Sequence, residues 1–294
     1  MQIRHQIGSS LDTFNIGRFA IPIAPLLLLG AMTVGTTVAK WHGRRGACNV
    51  EPLLLAVLAT GLAVGRAAFI LEYLPQYLEQ PWRMLDIRDQ GFSRGAAILA
   101  AIAMTGWLLW RRTQARKPML YSTAATACFW GMGVLAASAM DGDARYAPMP
   151  DLVLPGLDGN SMSISALKGK PVVINLWATW CPPCRRELPV LRDAQMQCPD
   201  VAFVLVDQGE SASQVRAYLA SQGLALNNVL LDSAFAMSRQ ANAKAFPTTL
   251  FLDEQGRLID RHTGELSPAT LARHLENLAA CTAQKSAARA RSEF

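Results

Sequence analysis

Cys181-Pro182-Pro183-Cys184 is the segment of this chain best equipped for chemistry. Two cysteines at i and i+3 lie within disulfide range, so the pair can cycle between dithiol and disulfide. The segment follows an apolar run, Val172 to Ala178, through Thr179 and Trp180. Val172–Trp177 reads as a buried strand, from its β-branched residues and an apolar character that Asn175 alone interrupts. A helix is expected from Cys181 to about Gln197, with Pro182 and Pro183 in a first turn that needs no N–H, and with a kink at Pro189. A helix N-terminus carries unpaired N–H groups and partial positive charge, and both favour a thiolate. The chemistry implied is thiol–disulfide exchange: Cys181, as the exposed thiol, attacks a substrate disulfide, and Cys184 resolves the mixed disulfide. The six cysteines (48, 128, 181, 184, 198, 281) supply no second Cys-x-x-Cys and no His-x-x-x-His partner, so no metal is expected. No cofactor is expected beyond the Cys181–Cys184 disulfide. His5, His42, His262 and His274 are scattered and read as solvated surface groups.

The elements around the motif alternate. A short extended piece at 151–154, a turn at 157–160 and a segment at 163–167 that leads to the turn at 168–171 precede the buried strand. After the cysteine helix come strand 201–206, helix 211–221, strand 229–231, a short helix at 234–241, and strands 248–253 and 258–262 joined by Glu254-Gln255-Gly256. Ser267-Pro268 starts a last helix as cap and first residue, ending near Ala280. This order implies an α/β sandwich with a mixed sheet.

The first half of the 294 residues is of another kind. Residues 1–140 hold 13 Lys/Arg against 6 Asp/Glu, while residues 141–294 hold 15 against 16. The basic excess sits wholly in the apolar half, which points to membrane topology and away from nucleic acid. Spans are expected at about 19–39, 52–71, 95–110 and 118–140, since about 20 apolar residues cross a bilayer. Lys40, Arg44 and Arg45 in the first loop, and Arg111, Arg112, Arg116 and Lys117 in the third, place those loops in the cytoplasm. Both termini and the Cys-x-x-Cys region then lie on the other side. Cys48 and Cys128 are too far apart to pair and read as inert, buried small hydrophobes.

Two resemblances sharpen this reading. Gly65-Arg66-Ala67 through Glu72-Tyr73-Leu74-Pro75, then Tyr77, Pro81-Trp82 and Gln90-Gly91-Phe92-Ser93-Arg94-Gly95, resemble the early part of prolipoprotein diacylglyceryl transferases. Those are integral membrane enzymes acting on phosphatidylglycerol and lipoprotein cysteines. The family's His-Gly-Gly reads Arg94-Gly95-Ala96 here, and the membrane part stops after four spans. A membrane anchor of that ancestry is therefore favoured over lipid transfer, with Arg66 a candidate for a lipid-headgroup contact.

Residues 148–282, above all Lys168 to Pro189, resemble the TlpA/ResA/DsbE family of thioredoxin-fold oxidoreductases. These are membrane-tethered, face the periplasm and are usually reductants. With the four spans read above, the chain divides into a membrane domain of four transmembrane helices (1–143), an α/β thioredoxin-like domain (144–285), which the resemblance implies, and a loose tail (286–294). The loop charges and the resemblance together lead to the expectation of a multi-pass bacterial inner-membrane protein with both termini and the thioredoxin-like domain periplasmic. Protein disulfides are the implied substrates, and a DsbD-like membrane reductase the implied electron donor. Phe246-Pro247-Thr248 corresponds to the family's cis-proline loop, with the Phe246 backbone set to pair with a substrate strand. Trp180, Pro182 and Pro183 complete the implied substrate-binding surface. Glu187 stands where the family places an acid that takes the Cys184 proton, or else is a solvated helix residue. Asn175 occupies the position of the thioredoxin buried aspartate. Trp177 packs beneath the site or is simply core. Cys198 and Cys281 end helices that share one face in this fold, and a structural disulfide between them is implied. A disulfide oxidase or isomerase using the same dithiol, or a lipid-binding or lipid-modifying membrane protein with a redox accessory domain, are the alternatives.

Overall fold

The computed structural model describes residues 13–16, 19–44, 48–78, 80–141 and 152–278. They fall into two compact units, divided at Ala20/Ile21 and Met140/Asp141. The linker at 144–150, His5, Cys281 and the tail at 286–294 lie outside the described residues.

Strands β1 (Thr13–Ile16) and β2 (Phe19–Pro22) pair, and helices α1 (Ile23–Arg44), α2 (Glu51–Glu72), α3 (Leu74–Leu78), α4 (Arg94–Arg111) and α5 (Arg116–Asp141) follow. The first apolar stretch thus begins as strand, and its helix starts four residues later than expected and runs on to Arg44. Pro22 suits a strand end, because it holds Ile21 extended, and Pro25 falls in the helix's first turn. Small residues let the helices approach. A Cβ on Gly65 of α2 would stand 2.8 Å from the Ala97 Cβ of α4, and one on Gly35 of α1 would stand 2.1 Å from Thr126 Oγ1 of α5. Leu62, Ile98, Leu99, Ile102, Leu120 and Leu135 point outward instead. Among the described residues, Glu51–Glu72 (mean hydropathy 2.1) and Thr113–Ala136 (1.3) are long and apolar enough to cross a bilayer. Of the other long helices, α1 carries Thr33, Thr36, Thr37 and Lys40, and α4 has arginine at both ends of its 18 residues. Cys48 and Cys128 are exposed free thiols rather than buried ones: one lies outside the helices and the other on the outer face of α5.

Arg66 of α2 is not available to a lipid headgroup. Its Nε donates to Met84 O, Nη1 to Asp89 Oδ1 and Gly91 O, and Nη2 to Arg83 O and Asp86 O. A guanidinium has five N–H groups, and these five bonds use them all.

In the second unit, β3 (Val153–Pro155) and β4 (Ser161–Ser163) form a hairpin. Then come β5 (Val172–Trp177), α6 (Pro182–Gln197), β6 (Ala202–Gln208), α7 (Ala212–Ser221), β7 (Val229–Asp232), α8 (Ala236–Gln240), β8 (Thr248–Leu252), β9 (Leu258–Thr263) and α9 (Pro268–Asn277). The sheet order is β7-β6-β5-β8-β9, with β5, β6 and β7 parallel and β8 and β9 antiparallel to their neighbours. This is the expected mixed sheet, and α6 continues through Pro189 to Gln197.

Strand periodicity decides what reaches the cysteines. On β5, Val172, Ile174 and Leu176 join a core with Leu154, Ile164 and Met237. The alternate residues Val173 and Trp177 join the opposite core with Leu188 and Leu191 of α6 and Leu271 and Leu275 of α9. Asn175 lies between these last two and so shares their face. His262 and His274 are buried, not solvated. His274 Nδ1 sits 2.7 Å from Asp260 Oδ2 and its ring stacks on Phe251, while burial pushes His262 down to about 3, so it is neutral. Both were misjudged because the β9–α9 contact that covers them is long-range.

Candidate active site

The turn from β5 into α6 presents the cysteines. Cys181 is the N-cap, in extended backbone, and its Sγ accepts the Cys184 N–H at 3.3 Å. Pro182 and Pro183 fill the first turn without leaving a donor unpaired. Cys181 and Cys184 form a disulfide, with Cα atoms 5.3 Å apart. Cys181 is only 3% exposed, against the expectation of an exposed thiol. The disulfide turns its sulfur inward toward the helix N-terminus. Trp180, 62% exposed, forms the rim, edge-on to Phe246 with ring centres 6.1 Å apart. Pro182 is exposed beside it.

The Phe246–Pro247 peptide is cis, at the start of β8. Pro247 and Thr248 are both buried, and the Thr248 hydroxyl donates to Ala245 O at 2.7 Å, so neither side chain reaches the surface where Trp180 and the half-buried Phe246 lie. Trp177 is likewise wholly buried, 6.1 Å from the Tyr218 ring, and serves the core.

One turn along α6 from Cys184, a hydrogen-bonded polar cluster is buried. Glu187, one turn beyond Cys184, is completely buried, so it is not a solvated helix residue. Asn175 Nδ2 donates to Glu187 Oε1 (2.6 Å) and Thr249 Oγ1 (3.0 Å), and Leu266 N donates to Glu187 Oε2 (3.0 Å). Asn175 stands opposite Thr249 in the β5–β8 register, which brings the two polar groups together. Desolvation pushes the Glu187 carboxyl up to about 8, against the opposing pull of the Leu266 and Asn175 donors. An acid poised near neutrality beside a dithiol can hand a proton over or receive one.

A second acidic group was missed from the sequence. Thr179 N and Oγ1 donate to the two oxygens of Glu210, at 2.6 and 2.5 Å, tying down the turn two residues before Cys181. Glu210 N in turn donates to Asp207 Oδ1 (3.1 Å). Asp207, opposite Trp177 in the β5–β6 register, is buried, and desolvation with the Glu210 carboxylate pushes it up to about 8. The usable signal was positional: carboxylates at the C-terminal end of a parallel strand beside the cysteine strand.

Cys198, at the end of α6, is buried and disulfide-bonded. Its expected partner Cys281 lies outside the described residues. Among the described residues no three His, Cys, Asp or Glu side chains are grouped to hold a metal ion.

Parallel strands flanked by an antiparallel pair, with a cysteine pair capping α6 beside the Phe246–Pro247 turn, define a thioredoxin-like fold built around a dithiol. Residues 144–278 match the Redoxin family, and residues 12–137 match the prolipoprotein diacylglyceryl transferase family. The chain is 34% identical to the thioredoxin-like protein YneN of Bacillus subtilis over 131 residues, covering 43% of this chain and 76% of that protein. It is 30% identical to the thiol-disulfide oxidoreductase ResA of Geobacillus kaustophilus, covering 44% and 75%. A solved structure of a putative thiol:disulfide interchange protein DsbE from Chlorobium tepidum is 25% identical, with TM-score 0.42, covering 46% of this chain and 96% of that one. The chain belongs to the family of thioredoxin-like thiol–disulfide oxidoreductases that includes YneN and ResA.

Proposed function

We propose that this protein is a membrane-anchored thiol–disulfide oxidoreductase that reduces protein disulfides on the periplasmic side of the bacterial inner membrane. The observation that carries the redox part is the sealed Glu187–Asn175 pair one turn beyond Cys184. In the reduced protein the Cys181 thiolate attacks a substrate disulfide, and one substrate sulfur leaves as a thiolate. Cys184 then gives its proton to the Glu187 carboxylate and attacks Cys181 Sγ. The second substrate sulfur leaves, and the Cys181–Cys184 disulfide remains. Two electrons pass from the dithiol to the substrate. A DsbD-like membrane reductase is the proposed source of their replacement, with no cofactor beyond the cysteine pair. The side chains of Trp180, Pro182, Pro183 and Phe246, with the backbone at Phe246, Pro247 and Thr248, form the proposed substrate surface.

Four helices, α1, α2, α4 and α5, are the proposed spans. Their outward leucines and isoleucines and their small-residue seams support this, as do the basic loops after α1 and α4. By the positive-inside rule, the dithiol faces the periplasm. The lipid-modifying alternative is disfavoured by the saturated Arg66 guanidinium, which has no N–H left for a phosphate.

The test is trapping. A Cys184→Ser variant of the full chain, expressed in its membrane, should accumulate mixed disulfides on Cys181 with periplasmic proteins. Absence of any such adduct would sink the proposal. The direction of electron flow is tested by the reduction potential: a value above about −150 mV would make the protein an oxidant, nearer the strong oxidant at ~−120 mV than thioredoxin at ~−270 mV.

A further inference from the structure

The connection from α2 to α4 turns back along α2 instead of leaving it. Ser93 N donates to Gly65 O at 2.9 Å. The Arg66 guanidinium gathers the carbonyls of Arg83 (3.0 Å), Met84 (3.2 Å), Asp86 (2.6 Å) and Gly91 (2.8 Å) around itself. Asp89 Oδ1 pairs with it at 3.0 Å and also accepts Gly91 N at 3.1 Å, while Asp89 Oδ2 accepts the Tyr77 hydroxyl at 3.1 Å. Both charged partners are buried. Breaking such a pair leaves an uncompensated buried charge, so the connection is held in one shape.

That shape turns the apolar side chains outward. Trp82 is 70% exposed, Leu85 88% and Ile87 65%, with Arg88 exposed beside them. Arg66 lies six residues before the end of α2, which at 1.5 Å per residue is about 9 Å down the helix. Gly65, its neighbour, accepts Ser93 N through its backbone carbonyl, so the connection returns to that level beside α2, and the guanidinium draws the carbonyls of 83–91 toward the same stretch of helix. A tryptophan, two large aliphatics and arginines at that level are the chemistry of the headgroup–acyl boundary.

We infer that the Pro81–Arg88 segment is an interfacial wedge, in which Trp82, Leu85 and Ile87 enter the outer edge of the bilayer's apolar layer and Arg88 meets lipid phosphates, with Arg66 as the staple that fixes its depth. The inference rests on the proposed membrane-crossing of α2 and α4. Lipid is the occupant because both ends of the connection continue directly into those two helices, which sets its level at the membrane surface.

The test uses the full chain with Cys48→Ser and Cys128→Ser, which removes the two exposed free thiols. A cysteine at Leu85 or at Leu62, on the outer face of α2, is labelled without reductant with an environment-sensitive fluorophore; the parent without added cysteine sets the background. Proteins are reconstituted in phosphatidylethanolamine/phosphatidylglycerol vesicles. The Leu85→Cys probe should be quenched more by a shallow nitroxide lipid than by a deep one, and several-fold less by aqueous iodide than a Met196→Cys probe on α6. The Leu62→Cys probe should prefer the deep nitroxide. Arg66→Met should give the Leu85→Cys probe iodide access while leaving the Leu62→Cys probe unchanged. A Leu85→Cys probe as open to iodide as that at Met196, with the Leu62→Cys probe still deep, overturns the wedge alone. Iodide access at both positions overturns the membrane crossing as well.

Discussion

Glu187→Gln should remove the titrating group and keep the fold. Both carboxyl oxygens accept hydrogen bonds, from Asn175 Nδ2 and Leu266 N. Glutamine has one oxygen, which can keep the Leu266 N–H, and then its Nε2 faces the Asn175 amide. Asn175 Oδ1 has no partner in the parent, so a flip of that amide presents an acceptor to Nε2. The rearrangement takes the amide nitrogen of Asn175 away from both its acceptors, Glu187 Oε1 and Thr249 Oγ1, a loss of about 1–3 kcal/mol. The proton affinity lost is larger. A rise from 4.5 to about 8 means that the site disfavours the carboxylate by about 5 kcal/mol, at ~1.36 kcal/mol per tenfold change. At pH 7 the oxidised protein therefore keeps Glu187 protonated, ready to donate to Cys184 when the disulfide is opened. Without that acid, opening by a small thiol should slow by about 100-fold or more, the usual range for a positioned proton donor. Stopped-flow tryptophan fluorescence reads the step, because Trp180 borders the disulfide. The parent should show an inflection near pH 8 that the variant lacks. Asp207 also lies near 8, so Asp207→Asn is the necessary control and should leave the inflection in place. A Glu187→Gln protein within about threefold of the parent, with the inflection retained, would refute the assignment.

Asn175→Asp would set a second carboxyl 2.6 Å from Glu187, and two acids sharing one proton should move the same inflection above 8. Stability should follow the sign of the raised groups. Glu187 and Asp207 hold protons in the fold that the unfolded chain releases near pH 4, so stability is full below that and falls as pH rises toward about 8. Urea midpoints across that window should show the decline, and it should be shallower in Glu187→Gln. Thr179→Val keeps one of the two bonds to Glu210 and should lower stability by about 1.5–3 kcal/mol, the range for a bond to a charged group; an unchanged urea midpoint would deny the clamp. Cys198→Ala should lower stability by about 2–5 kcal/mol, and a non-reducing peptide map of the parent should join Cys198 to Cys281. A free thiol at Cys281 would rule that pairing out.

What the sequence disclosed was local. Strand β5, helix α6 with its prolines, and the Ser267-Pro268 start of α9 fall within a residue or two of expectation, because each rests on patterns inside a short window. Glu187 is bonded to Leu266, 79 residues away, and His274 is packed on Phe251 of β8 and paired with Asp260 of β9. Strand and helix periodicity say nothing of which elements pack together, so a buried acid and a solvated one were indistinguishable. Arg66 makes the same point in the helical unit. An arginine near the end of an apolar helix reads as a headgroup ligand for as long as its own partners are unknown. Four carbonyls and a carboxylate, 17 to 25 residues further along, then claim every N–H it has. A charge can serve a ligand only with donors that the fold leaves over. The acids near the dithiol differ from Arg66 here. Glu187 keeps one exchangeable proton because the fold gives it donors but no cation. Titrable chemistry in this chain is thus set by how completely distant backbone and side chains satisfy each group, and by that measure the reactive unit is the second one.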